Sequence, residues 1–143
     1  MTWFKRLIVA AVIAASAQLS MAEEAYEVTA KAWAAMGEKK WDEVAKLADQ
    51  SYEIWGEQAK AKNDSLKDYP GDDEVKSFAN LNEVGTILWI KGEALRQKGD
   101  KKGALEAYQL LLKDFTYAQC WDPQGWWWKP AEAAKEKIAE LKD

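Results

Sequence analysis

Between Trp41 and Ala59 the apolar residues Trp41, Val44, Ala45, Ala48, Tyr52, Trp55 and Ala59 recur mostly at three- and four-residue intervals. That spacing lines them along one side of an α-helix of about five turns. A helix with one apolar stripe has to bury it, so the period predicts partner helices elsewhere in the chain. Tyr26, Ala30, Trp33 and Met36 predict an earlier helix with those four facing inward, and Gly37 is expected to close it in the left-handed conformation. Lys62–Asp73 is polar and carries Pro70-Gly71, a turn signal. Helical spacing resumes from Val75 or Leu81, with Val84, Leu88, Gly92 and Leu95 on one face and Ile87, Ile90 and Ala94 on another. Two apolar faces predict a helix sandwiched between neighbours.

Gly99-Asp100 predicts the next turn, with the Asp100 side chain capping a helix that carries Ala104, Ala107, Tyr108, Leu111, Leu112 and Phe115. An irregular stretch follows. Pro130 then suits the first turn of a last helix, with Ala134, Ile138 and Leu141 inward. The expectation is an all-α fold of about five helices, antiparallel hairpins stacked as a short solenoid, with no strand.

The N-terminus reads as a secretory signal peptide. Lys5-Arg6 precedes the uncharged apolar run Leu7–Ala15, and the small residues Ser20 and Ala22 suit cleavage before Glu23. The run is too short to remain as a membrane anchor. Residues 1–22 are therefore expected to be removed, leaving 23–143 as one domain in the periplasm or outside the cell. Losing Lys5 and Arg6 moves the net charge from -4 to -6, and the remaining cations are interspersed with acids, which points away from nucleic acid as a partner.

Two absences narrow the chemistry. The chain has no histidine, so the commonest general base and zinc ligand are missing. Its one cysteine, Cys120, has no internal disulfide partner and is either buried or available to another chain. No phosphate-binding loop or calcium loop is present. Most acids fall on solvated helix faces. Only Glu93 and Asp122 suit a groove or an aromatic cluster, and nothing in their spacing brings them together for hydrolysis of a sugar linkage. The chain is accordingly expected to be non-catalytic, with no catalytic residue, cofactor or metal.

Leu88, Gly92, Leu95, Gly99, Ala104 and Tyr108 stand at the offsets of a tetratricopeptide repeat, and the stretch Leu88–Tyr108 resembles that family. In the first hairpin Tyr26, Ala30, Trp33 and Gly37 sit at the repeat spacings if Lys39 and Lys40 are an insertion. The resemblance implies a concave face for a protein or peptide, presented by Thr86, Trp89, Glu93, Arg96 and Gln97, with Glu24, Glu27, Lys31, Ala34 and Ala35 in the first hairpin. Arg96 would grip a partner carboxylate or, alternatively, pair with Glu93 three residues away.

The tail from Tyr117 is similar to the ends of small exported bacterial repeat proteins of undefined role, some bearing a glucan-metabolism label. Trp33, Trp41, Trp55 and Trp89 read as core. Trp121, Trp126, Trp127 and Trp128 cannot all face inward, since three consecutive residues point in different directions. They form a possible second surface, either for a glycan of the cell envelope or as a cover for the end of the solenoid.

Overall fold

Two tight turns with the same hydrogen bonds, sixty residues apart, set the architecture. The protein is described from a computed structural model, which covers residues 23–142. The expected signal peptide, residues 1–22, lies outside the described residues. Helix α1 (Ala25–Gly37) and helix α2 (Trp41–Asp64) form the first hairpin, and α3 (Ala79–Lys98) and α4 (Lys101–Asp114) form the second. A 3-10 turn, Val75–Phe78, leads into α3, and α5 (Pro130–Lys142) follows the second hairpin. The described chain is an all-α stack of five helices, as the apolar periods predict.

At the end of α3, Gly99 has φ 92°, its N–H donates to Arg96 O at 3.1 Å, and the Asp100 N–H donates to Leu95 O at 2.8 Å. At the end of α1, Lys39 has φ 60°, its N–H donates to Met36 O at 3.1 Å, and the Lys40 N–H donates to Ala35 O at 2.9 Å. Both are the helix-ending motif that requires one left-handed residue. In the first turn that residue is Lys39 and not Gly37, which stays in the right-handed helix. The carbonyls of Ala35 and Met36 capture the amides of Lys40 and Lys39, so the turn falls two residues later than expected.

Superposing the turns pairs Val28 with Leu88, Ala32 with Gly92, Ala35 with Leu95, Val44 with Ala104 and Ala48 with Tyr108, all of them buried. No insertion at Lys39 and Lys40 is needed. The expected inward face of α1 is therefore corrected: Tyr26 is 61 % and Trp33 42 % exposed. The buried strip is Ala25, Val28, Thr29, Ala32 and Ala35. Those small side chains let α1 lie close to its neighbours.

Helix α3 is the centre, in contact with α1, α2, α4 and α5. Its Ile87, Ile90 and Ala94 join Val28, Ala32, Val44 and Ala48 in one core. Its Val84, Leu88 and Leu95 join Tyr108, Leu111, Phe115, Ala134 and Ile138 in the other. The two-faced pattern read from the sequence is thus the seam between two cores. Asp100 caps α4 as expected, its Oδ1 accepting from the Gly103 N–H at 2.9 Å.

The expectation of no strand is corrected. Between α4 and α5 an antiparallel ribbon pairs β1 (Cys120–Asp122) with β2 (Trp126–Trp128), in the register Cys120 to Trp128, Trp121 to Trp127 and Asp122 to Trp126. Its turn is closed by the Gly125 N–H donating to Asp122 O at 2.9 Å and the Gln124 N–H donating to Asp122 Oδ1 at 2.8 Å, with Gly125 left-handed at φ 111°. Asp, Pro and a left-handed Gly are the residues such a three-residue loop needs. Among the described residues, no helix is long and apolar enough to cross a membrane.

A left-handed side chain other than glycine costs about 1–2 kcal/mol. Lys39→Gly is expected to stabilise the protein by about 0.5–1 kcal/mol, since the flexibility of glycine in the unfolded chain offsets part of the gain. Gly99→Ala is expected to destabilise it by about 1 kcal/mol. Urea unfolding midpoints check both, and three equal midpoints would contradict the assignment of the two turns.

Candidate functional site

The five α3 residues expected on the concave face do not share one environment. Thr86 and Glu93 are buried, Trp89 and Arg96 are partly covered, and Gln97 is exposed. Arg96 already has its carboxylate. Its Nη2 and Nε donate to Glu93 Oε2 at 2.6 and 3.1 Å. The other oxygen of Glu93 faces Lys137 Nζ of α5 at 3.9 Å. A buried carboxylate needs such partners to offset its loss of water. Of the two readings of Arg96, the internal pair is the one present. The fully buried Tyr108 hydroxyl lies beside this pair without a hydrogen-bond partner among the described residues, and burial pushes its pKa up.

In the first hairpin the corresponding residues are also engaged locally. Glu24 and Glu27 cap α1, the Glu24 N–H donating to Glu27 Oε2 at 2.9 Å. Lys31 pairs with Glu23, Ala34 is exposed and Ala35 is buried.

What the fold does assemble is a row of indoles. Trp33 on α1 lies 6.2 Å from Trp89 on α3, ring centre to ring centre, and Trp89 lies 5.2 Å from Trp128 on β2. The row crosses three elements. Trp33 is half-exposed instead of core, because α1 buries its small-residue strip. The indole N–H of Trp89 is buried without a partner among the described residues. Neighbouring rings are tilted by 47° and 72°, so the row is stepped and not flat.

Alternation along the ribbon sends Trp121 and Trp127 to one face, where their rings sit 5.2 Å apart, and Cys120, Asp122, Trp126 and Trp128 to the other. Trp127 and Trp128 are half-buried, whereas Trp121 and Trp126 are 52 % and 50 % exposed. The ribbon is anchored through its neighbours. Tyr117 donates its N–H to Asn63 Oδ1 at 2.9 Å and its hydroxyl to Lys67 O at 3.0 Å. The Gln119 N–H donates to Asn82 Oδ1 at 2.9 Å, and the Gln119 side chain to Pro70 O at 3.4 Å. Lys129 Nζ sits 4.2 Å above the Tyr69 ring, a cation over an aromatic face.

The acids near this face are engaged within the fold. Glu93 is held by Arg96 and Lys137, and Asp122 by its own turn. Cys120 is partly covered, and burial pushes its thiol up, so at neutral pH it remains a poor nucleophile. Among the described residues no group of three or more Cys, Asp or Glu is placed to hold a metal ion. Sequence reasoning missed Glu83, a partly buried acid on α3. Burial raises its carboxyl pKa, and the Thr29 hydroxyl across on α1 works in the opposite direction. It also missed the ribbon, although Asp122-Pro123-Gln124-Gly125 between aromatic residues is a hairpin signal.

No family model matches the chain, and comparisons with curated proteins and with solved structures find no match either.

Two outcomes follow from these pairings. Arg96→Ala leaves Glu93 buried with Lys137 alone; because Arg96 is about one-third exposed, the expected loss is a moderate ~1–3 kcal/mol by denaturant unfolding, and an unchanged midpoint would speak against the pair's structural role. Glu83 binds its proton more tightly in the folded state than the ordinary 4.5, so its stabilising contribution is complete at low pH and is lost as pH rises through the raised pKa. Glu83→Gln should therefore melt higher than wild type at pH 7, with the difference shrinking toward pH 4, as thermal scans across pH would reveal.

Proposed function

We propose that the protein is a non-catalytic contact module that holds a protein or peptide partner in the bacterial cell envelope, across the face shared by α1, α3 and the ribbon. The observation that carries this reading is the indole row Trp33–Trp89–Trp128, because stepped, partly exposed tryptophans supply much contact area at little cost in side-chain entropy. Two features of the sequence support it: the likeness of Leu88–Tyr108 to a tetratricopeptide repeat, and the N-terminus read as an export signal. The residues that would meet the partner are Trp33, Trp89 and Gln97. Thr86, Glu93 and Arg96 would support the face from beneath.

A cell-envelope glycan held by Trp121, Trp126, Trp127 and Trp128 is the alternative. The 64° angle between the Trp121 and Trp127 rings weighs against a flat stacking platform there.

Capture from envelope extract tests the reading. Trp33→Ala is expected to reduce recovery of a specific partner by on the order of tenfold, as loss of a tryptophan anchor does. Tyr52→Ala, an exposed residue on α2, should leave recovery unchanged. Equal partner lists for wild type and Trp33→Ala would end the proposal.

A further inference from the structure

The ribbon tip is not part of the indole row and has its own peculiarity. Trp121 and Trp126 are each about half exposed, yet the register puts them on opposite faces of the ribbon. Between them the turn Pro123-Gln124-Gly125 is also exposed. A flat protein surface covers one face of a ribbon. A soft, wet-to-oily boundary layer surrounds both faces at once.

We infer that this tip, Trp121 through Trp126, docks reversibly in the headgroup layer of a lipid bilayer made of zwitterionic lipids. Indole suits that depth, having an apolar ring and one N–H that keeps a polar partner. The turn suits it too, because the Gly125 and Gln124 amides are satisfied within the ribbon and need no water. The charges of the ribbon and its flank, Asp122 and Lys129, cancel, and the whole chain is acidic at -4. The ribbon, residues 120–129, therefore lacks the basic cluster that would select anionic lipid. With the ribbon's root fixed by Tyr117 and Gln119, the tip inserts as a rigid wedge. Neither Trp121 nor Trp126 belongs to the indole row, so the inference stands apart from the proposed function.

The test uses the full chain and phosphatidylcholine vesicles carrying brominated acyl chains, with co-sedimentation and tryptophan quenching as readouts. Residues 1–22 are present in every sample, so the difference between variants reports the tip. Trp121→Ala/Trp126→Ala is expected to lower the sedimented fraction at least fivefold and to remove most of the quenching. Trp121→Phe/Trp126→Phe should retain part of both, and Trp33→Ala should match wild type. Far-UV circular dichroism confirms that each variant keeps its helices. Equal sedimentation of wild type and the double alanine variant overturns the inference, as does binding only to phosphatidylglycerol vesicles that salt reverses. Loss of an envelope protein from the double variant without any vesicle binding also overturns it, while leaving the reading of the indole row intact.

Discussion

The close approach of helix α3 to Tyr108 of α4 depends on Gly92 having no side chain. A Cβ there would come within 2.2 Å of the Tyr108 ring, which is fully buried. This crossing fixes the second hairpin, and the rest is built out from it. Tyr108 fills the junction between α3 and α4, Glu93 and Arg96 pair next to its hydroxyl, and Lys137 brings α5 onto the same carboxylate. In the first hairpin the equivalent pair is Ala32 and Ala48, two small residues where the second has one absent and one large side chain. The same crossing is thus solved twice with different volumes, in keeping with the close packing that protein interiors demand.

Much of the helical frame was legible in the sequence, because repeated apolar periods are the direct imprint of a buried helix face. The sandwiched position of α3 followed from its two stripes, and the cap at Asp100 from the chemistry of its side chain. Helix α1 was legible as a helix but not in its orientation. Its largest apolar residues, Tyr26 and Trp33, point outward, and its buried strip consists of Ala, Val and Thr, so size misled where closeness of packing decided. The turn after α1 was misplaced for a related reason. Glycine is the usual left-handed residue, but the carbonyls of Ala35 and Met36 place that conformation on Lys39.

The candidate site was the least legible part. Thr86, Trp89, Glu93, Arg96 and Gln97 were assigned by their places on one helix, and such places do not reveal what else approaches that helix. Lys137 and Trp128 arrive from later in the chain and change the meaning of Glu93 and Trp89. Strands of three residues are also too short for alternation to register, so the ribbon's only early sign was the composition of its turn.

The loop between the hairpins has a role that its polar, irregular sequence conceals. Its carbonyls at Lys67 and Pro70 receive bonds from Tyr117 and Gln119, its Tyr69 ring lies beneath Lys129, and Asn82 joins it through Val75. A molecule meeting the ribbon encounters an element whose direction is already decided. Little orientational freedom remains to be surrendered at that moment, so more of the contact energy is retained as affinity.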